Sequence, residues 1–346
     1  MGFTATSPGR VNLIGEHTDY NGGWVLPAAL SVSLTITLSP RADRIVTIAA
    51  QGYTDTAQRS LDDAASGHWS DPALGALIEA NSLKLLAGGA DLKITSNIPA
   101  GSGLSSSAAL IVTILKAARE AAGSAMSDTE IAVAARRVEN NYIGVPCGIM
   151  DQMAVAIAQP GEAMSLDTAT LDYHIVALPN SHDMVIIHSG QTRQLTDGRY
   201  AARKEECDAA KAVFVTEELC LLDPEDIEAL VRIDPVLKRR TLHCATEHRR
   251  VLASITALEQ GDIDRFGSLM NDSHASMRDD FEMSTPEIDL LVGDAIKLGA
   301  TGARLTGGGF GGCIVACVDR RLRETWQAEL LSSHPDARLI DAICPE

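Results

Sequence analysis

A glycine- and serine-rich segment constrains this chain more than any other feature. It reads Gly-Ser-Gly-Leu-Ser-Ser-Ser over residues 101–107, after the strand-like stretch 91–97 and before residues 105–122, where apolar side chains recur at helical spacing. Backbone N–H groups and the positive end of the helix dipole would converge there, so the segment predicts a phosphate site. It lacks the Gly-Lys-Ser/Thr ending of a Walker A loop. A flexible turn with a serine N-cap remains the alternative.

Residues 7–23 concentrate polar side chains around a few apolar ones. Carboxylates in such a segment can accept charge-assisted hydrogen bonds from sugar hydroxyls, and an arginine can balance developing negative charge. The composition therefore favours recognition of a polyhydroxyl compound, with an ordinary polar loop as the alternative. The polar members are Arg10, Asn12, Glu16, His17, Thr18, Asp19, Tyr20 and Asn21.

A second candidate carboxylate lies in residues 147–152, which read Cys-Gly-Ile-Met-Asp-Gln and follow the predicted helix that carries Glu139. Asp151 stands between the apolar Met150 and Met153. A partly buried carboxylate could act as a general base or orient a hydroxyl. A helix N-cap at Asp151 is a sound structural alternative.

Residues 306–312 contain Gly-x-Gly-x-x-Gly, yet the following residues 313–317 are strand-like, whereas a dinucleotide-binding fold requires a helix there. The protein-kinase pattern also fails, because the segment lies too near the end of the chain for the other kinase motifs. We interpret it as a tight turn that borders the phosphate region, with a purely structural bend as the alternative. Cys313 and Cys317 are expected to be core residues, since their spacing does not match a zinc site.

Composition excludes several classes of protein. The 346 residues predict about two domains, and 29 Lys and Arg against 46 Asp and Glu give a net charge of −17. That charge repels nucleic acid and anionic lipid, so neither partner is expected. The chain has no apolar run of the roughly 18 to 20 residues that span a bilayer and no signal-peptide pattern, and its seven cysteines are an odd number. These features predict a cytoplasmic protein without a disulfide framework.

Strand-like and helical stretches are mixed without regular βαβ alternation, which predicts an α+β fold. A Ser127–Glu130 capping box predicts a helix to about residue 142, and Gly123 is expected to cap the helix before it. Further helices are expected from Pro72 to the glycines at 88 and 89, over 199–218 and 237–260, and from Thr285 to Gly299, with strands over 24–38, 44–50, 91–97, 184–187, 303–306 and 313–318.

Three motifs, at residues 8–23, 99–108 and 305–312, resemble in order the signature motifs of the GHMP family of small-molecule kinases. The run Gly-Arg-Val-Asn-Leu-Ile-Gly-Glu-His-Thr-Asp-Tyr-Asn-Gly-Gly is similar specifically to the galactokinase branch. Residues 139–152, 199–203 and 273–282 extend the resemblance over nearly the whole chain. It implies a mixed-sheet N-terminal domain over 1–180 and an α+β C-terminal domain over 181–346, with the active site in the cleft between them.

The resemblance also implies roles for residues that match the family's motifs. Asp151 falls on the catalytic aspartate and Arg10 on the transition-state arginine. The metal positions are Ser107 and Glu139, for Mg²⁺. The substrate positions are Glu16, His17, Thr18, Asp19, Gly148, Asp151 and Tyr200. The phosphate loop that binds ATP comprises Gly101, Ser102, Gly103, Leu104, Ser105, Ser106 and Ser107.

The implied activity is transfer of a phosphoryl group from ATP to the anomeric C1 hydroxyl of α-D-galactose, in the Leloir pathway of galactose metabolism, by a monomeric enzyme. Two alternatives stay open. One is a kinase for a relative such as N-acetylgalactosamine, and the other is a non-catalytic sensor of galactose and ATP. The intact serine segment, together with Arg10 and Asp151, argues against the sensor.

Overall fold

A computed structural model describes residues 2–99, 101–191, 198–230 and 232–344. Its backbone contacts divide the chain into two compact units, neither of them one continuous segment. Unit 1 comprises Met1–Arg10, Ser31–Ile98 and Ser105–Gln159, and unit 2 comprises Val11–Leu30, Pro99–Leu104 and Pro160–Glu346. The predicted domain boundary near residue 180 stays a prediction.

The strands are β1 (Phe3–Asn12), β2 (Trp24–Val25), β3 (Pro27–Pro40), β4 (Ile45–Ala50), β5 (Ala57–Ser60), β6 (Ala90–Ser96), β7 (Ala163–Asp167), β8 (Tyr173–Val176), β9 (His182–His188), β10 (Gly302–Thr306), β11 (Cys313–Asp319) and β12 (Arg338–Ile343). The α-helices are α1 (Asp71–Ser82), α2 (Ser106–Ala122), α3 (Asp128–Arg137), α4 (Met150–Ile157), α5 (Arg199–Phe214), α6 (Pro224–Ala229), α7 (Pro235–Gln260), α8 (Ile263–Asp279), α9 (Pro286–Lys297) and α10 (Arg323–Ser333). A π-helix covers Val138–Ile143, and a 3₁₀ turn covers Leu219–Leu221.

Unit 1 contains a mixed sheet covered by helices. Residues Leu34–Pro40 of β3 pair with antiparallel β6, β4 runs parallel to β6, and β5 pairs antiparallel with β4. Leu34, Ile36 and Leu38 are buried on alternate positions of β3, the pattern of a sheet with one face in the core. Helix α2 packs against α1 and α4. It begins directly after the segment 101–105, so the sheet and these helices support the start of α2.

Unit 2 contains a fully antiparallel four-stranded sheet in the order β10-β11-β9-β12. Strands β9 and β11 are buried along almost their whole length, as expected of central strands. Helices α8 and α9 pack on β10. A buried apolar core that includes Val185, Ile314 and Phe281 joins the sheet to these helices. This core holds the ends of β10 and β11, and therefore the glycine segment between them, in place.

The α+β prediction is confirmed, and most predicted elements occur. Ser127 forms its capping box with Glu130, and Gly123 caps α2 in a left-handed conformation. The helix predicted to run to about residue 142 has that extent, but its last part differs in type, because α3 ends at Arg137 and a π-helix continues to Ile143. Helix α1 ends at Ser82, earlier than the glycines at 88 and 89. Among the described residues, no helix is long and apolar enough to cross a membrane.

Candidate active site

Arg10 and Asp151 form a two-pronged ion pair in unit 1. Arg10 Nε donates to Asp151 Oδ1 at 2.8 Å, and Arg10 NH2 donates to Oδ2 at 2.9 Å. The Arg10 side chain is 6% exposed and that of Asp151 is 32% exposed. The planar guanidinium fork fixes the plane of the carboxylate, while the exposure of Asp151 leaves it open to a reactant.

Asp151 lies in the first turn of α4, whose N-cap is Ile149, so the N-cap alternative for Asp151 is wrong. The alternative failed because the helix begins two residues earlier than the apolar flanks alone could indicate.

The start of α2 brings a serine hydroxyl to the same carboxylate. Ser105 is the N-cap of α2 and has left-handed backbone angles (φ 61°, ψ 39°), and its side chain makes no cap bond to the helix. Its Oγ instead donates to Asp151 Oδ2 at 2.5 Å. Ser106 and Ser107 form the first helical residues, with no acidic residue in this turn to occupy the N–H groups. The first turn of α2 therefore carries no acidic side chain of its own.

The predicted metal positions meet beside the pair. Glu139 lies on the π-helix, is buried, and has a pKa that the nearby Ser107 hydroxyl lowers. Its Oε2 accepts from Gln152 Nε2 and from Cys147 Sγ, the latter at 3.4 Å. Burial raises the pKa of Glu139, and the negative charge of Asp151 raises it further, while the hydrogen bonds act in the opposite sense. A cation at this position would relieve that unfavourable burial of charge.

The donor set fits Mg²⁺ in kind, since a carboxylate and a hydroxyl are the oxygen ligands it prefers. Two protein ligands are also the usual number, because Mg²⁺ binds through one or two protein groups, waters and substrate phosphates. Within the described residues, no group of three or more His, Cys, Asp or Glu side chains could hold a metal by itself.

In unit 2, Glu16 is enclosed by protein partners. Its Oε2 accepts from Arg304 NH2, and its Oε1 accepts from Gly307 N at 2.8 Å and from Thr306 Oγ1 at 3.3 Å. Both side chains of the Glu16–Arg304 pair are sealed, at 2% and 0% exposure. Burial raises the pKa of Glu16 despite the opposing effect of Arg304. Glu16 thus holds the loop 15–19 to the end of β10.

A second buried glutamate completes this cluster. Arg304 NH2 lies 3.6 Å from Glu247 Oε1, which also accepts from Gly15 N at 3.0 Å and from Ser273 Oγ at 2.6 Å. Burial raises the pKa of Glu247, but the neighbouring groups together, first Arg250 and Arg304 and then His243 and Ser273, lower it to about 2. Arg304 and Glu247 are not among the residues that the sequence predicts for a site. A usable signal was the arginine between Ala303 and Leu305, because a charge in an apolar strand requires a buried partner.

His17 sits in an aromatic cluster with a strained backbone. Its φ is 61°, a region that residues other than glycine seldom adopt. Its ring lies 4.5 Å from Phe281 and 5.2 Å from Tyr200 between centroids, and Nδ1 lies 2.5 Å from the Tyr20 hydroxyl. The structure therefore brings the predicted residues His17 and Tyr200 together. Such strain in a packed environment is typical of functional sites.

The remaining predicted sugar positions differ in surroundings. Thr18 is fully buried, and its hydroxyl lies 2.9 Å from both the Gly15 and Trp24 carbonyl oxygens, so it holds the loop together. Asp19 is partly exposed in unit 2. Gly148 is buried, in unit 1, next to the start of α4.

The glycine segment 307–312 borders the phosphate loop, as predicted. A Cβ at Gly307 would lie 3.3 Å from the Gly103 carbonyl oxygen, and Gly307 has a φ of 82° that favours glycine. Cys313 Sγ donates to the Ser102 carbonyl oxygen at 3.4 Å. Ser102 is buried and its hydroxyl donates to the Pro99 carbonyl oxygen at 2.7 Å, which stabilises the turn itself. Cys313 and Cys317 are both buried, as expected of core residues.

Three family models match the chain. The GHMP kinases N terminal domain matches residues 72–159, the GHMP kinases C terminal domain matches residues 254–335, and the galactokinase galactose-binding signature matches residues 2–40. The signature spans Arg10 and the loop 15–19, and the N-terminal model spans Ser105, Glu139 and Asp151. The models thus cover most of the residues that the geometry singles out.

Solved structures show the same fold. Galactokinase of Lactococcus lactis, determined with galactose, is 31% identical, with 99% of this chain and 93% of that chain covered and a TM-score of 0.93. The fold is shared by mevalonate kinase of Methanococcus jannaschii, which is 18% identical, with 99% of this chain and 98% of that chain covered and a TM-score of 0.72. It is also shared by phosphomevalonate kinase of Streptococcus pneumoniae, determined with phosphomevalonate and AMPPNP, which is 13% identical, with 98% of each chain covered and a TM-score of 0.73. With the three signature motifs and the site geometry, these matches show that the chain belongs to the galactokinase family of GHMP kinases.

Proposed function

We propose that this protein transfers the γ-phosphoryl group of ATP to the C1 hydroxyl of α-D-galactose, giving α-D-galactose 1-phosphate and ADP. The observation that carries the proposal is the Arg10–Asp151 pair. It is bidentate, its carboxylate is partly exposed, and it is bonded to Ser105, the N-cap residue of α2. The galactose-binding signature over residues 2–40 supports galactose as the acceptor.

Asp151 acts on the acceptor hydroxyl. As the C1 oxygen forms its bond to the γ-phosphorus and the bond from that phosphorus to the ADP oxygen breaks, Asp151 accepts or orients the hydroxyl proton. Arg10 keeps the Asp151 carboxylate in one plane and contributes positive charge toward the oxygens of the transferred group. Phosphoryl transfer depends mainly on such positioning and charge neutralisation.

The nucleotide phosphates bind at the segment 101–107, where the amide groups of the α2 N-terminus attract anions. Ser107 and Glu139 would hold Mg²⁺, which neutralises phosphate charge when it is bound with ATP. Gln152 and Cys147 donate to Glu139 and so orient its carboxylate. These groups stabilise charge and leave the proton to Asp151.

The sugar is recognised by the loop 15–19 with Tyr200 and Gly148. His17 and Asp19 offer polar groups to hydroxyls, while Glu16 and Thr18 contribute through the loop that they hold in shape. A site built on hydrogen bonds to hydroxyls discriminates strongly, because a wrong epimer leaves buried polar groups unpaired. The free thiols of all seven cysteines fit a cytoplasmic location, and the monomeric state stays a prediction.

A coupled assay of ADP release over a panel of sugars tests the proposal. Galactose should exceed glucose, its epimer at one carbon, by at least about 10² in kcat/KM. 2-Deoxygalactose should be a better substrate than glucose. A clear preference for N-acetylgalactosamine would refute galactose as the substrate but would still support a sugar kinase. Absence of sugar-dependent ADP release would refute the kinase activity itself.

A further inference from the structure

We propose that the side chain of Ser105 is a positioning group for Asp151 and does not itself bind phosphate, whereas the backbone amides of its loop do. The inference rests on the proposed function, since it assigns Ser105 a role in the same transfer. It arises from two independent features of one residue, its backbone conformation and its hydrogen bond.

The backbone conformation is the first feature. Ser105 adopts φ 61° and ψ 39°, where the Cβ of an L-residue crowds the carbonyl group, and glycine is the residue that ordinarily fills such a position. Gly101 and Gly103 in the same loop also have positive φ, at 69° and 76°. A third glycine would therefore suit the turn, and a serine there retains strain that a side-chain function must offset.

The hydrogen bond is the second feature. A serine at an N-cap normally accepts from the backbone of its own helix, but Ser105 makes no such bond and donates to Asp151 Oδ2 at 2.5 Å. The hydroxyl thus serves the carboxylate instead of the helix.

The three donors distribute unequally over Asp151. Among the described residues, Oδ2 accepts from Arg10 NH2 and Ser105 Oγ, whereas Oδ1 accepts from Arg10 Nε alone. A carboxylate oxygen has two in-plane acceptor sites. The Ser105 hydroxyl fills the second acceptor site of Oδ2, whereas Oδ1 keeps one acceptor site available. Oδ1 is therefore the atom that accepts the hydrogen bond of the sugar hydroxyl.

Two variants separate the hydroxyl from the backbone. Ser105→Ala removes the hydroxyl and keeps the strain, whereas Ser105→Gly removes both. Since a hydrogen bond to a charged group is involved, kcat should fall about ten- to a hundred-fold in both. The KM values for ATP and galactose should stay within about threefold of wild type, although Ser105→Gly should unfold at a higher temperature than Ser105→Ala.

Lys84→Gly is the matched control for strain. Lys84 is exposed in the turn after α1 and has a φ of 60°, so glycine should relieve the same kind of strain without changing turnover. If Lys84→Gly and Ser105→Gly both kept wild-type kcat, the hydroxyl would have no role.

The decisive measurement is steady-state kinetics with ATP and galactose, beside thermal unfolding of each variant. Equal losses of kcat in Ser105→Ala and Ser105→Gly, despite their different stabilities, would support positioning. Full turnover in Ser105→Gly, or a raised KM for ATP with kcat retained, would overturn it. Failure of the wild-type protein to phosphorylate galactose would instead refute the proposed function, before any variant is compared.

Discussion

Two arginine–carboxylate pairs, Arg10–Asp151 in unit 1 and Arg304–Glu16 in unit 2, use the same groups in opposite surroundings. In the first, the carboxylate is one-third exposed and keeps an available acceptor site. In the second, both side chains are sealed, and each carboxylate oxygen already has a protein partner. Two carboxylates that pair with arginine thus differ in exposure and in how many of their acceptor sites are occupied, and these two properties separate a candidate reactive group from a structural one.

The largest loss of activity should follow from a change in the partly exposed pair Arg10–Asp151, called the open pair below. Asp151→Asn keeps the shape but loses the charge that receives or aligns the proton, so kcat should fall about 10² to 10⁴-fold while galactose and ATP still bind. Coupled kinetics give kcat, and calorimetric titration gives binding. Turnover above about a third of wild type would remove Asp151 from its role, given contributions of that size.

A change in the buried pair Arg304–Glu16, called the sealed pair below, should lower the stability of the fold. Arg304→Met leaves two buried glutamates without their shared cation, which should lower the free energy of unfolding by about 3–5 kcal/mol. Urea unfolding measures this loss. Arg321→Met is the control, because Arg321 pairs with Asp319 at 86% exposure and should change little. Equal stability of the two variants would mean that Arg304 is not the anchor of loop 15–19.

Arg10→Lys should show how far the open pair depends on its geometry. Lysine keeps the charge but loses the planar fork, and with it one of two bonds to Asp151. We expect kcat to fall about ten- to a hundred-fold, with a smaller change in KM for galactose. A dominant rise in that KM, with turnover intact, would place Arg10 in sugar binding rather than in transfer.

The smallest effect is a dependence of stability on pH through His243, which lies beside the sealed pair. His243 is fully buried, with Nε2 3.1 Å from the Glu16 carbonyl oxygen, and burial lowers its pKa to about 4. The folded state keeps it neutral while the unfolded state protonates near 6.5, so its contribution to stability is present above that pH. As the pH falls from about 6.5 toward 4, this contribution is lost. The loss in the free energy of unfolding amounts to about 2 kcal/mol at pH 5.

Urea unfolding of wild type and His243→Gln at pH 8 and pH 5 checks this. The glutamine variant should lose less stability between the two pH values than wild type does, whatever its absolute stability. The same loss in both proteins would exclude His243 as a source of the acid sensitivity.

Local signals explain why much of the fold could be predicted. The capping box at Ser127 and the glycine at 123 depend on neighbouring residues only, and both are as expected. The π-helix that carries Glu139 shifts the hydrogen-bond pattern by one residue, and no local pattern encodes that shift.

In the candidate site, too, some features could be predicted from the sequence, while those that depend on distant residues could not. Asp151 and Arg10 stood out by residue type and resemblance, and the structure brings them together. The Glu16–Arg304 pair joins residues 288 positions apart, and no spacing rule connects them. The left-handed conformation of Ser105 was also beyond prediction, because a serine before a helix indicates an ordinary N-cap.

The position of the phosphate on the product shows whether the protein phosphorylates galactose at C1. The purified protein is incubated with ATP, Mg²⁺ and galactose, and the product is examined by ³¹P NMR with coupling to the sugar protons. We expect a single sugar phosphate whose phosphorus couples to the proton on C1, with the α configuration, formed together with one equivalent of ADP. Phosphate on any other carbon, or ADP release without a sugar phosphate, would contradict it.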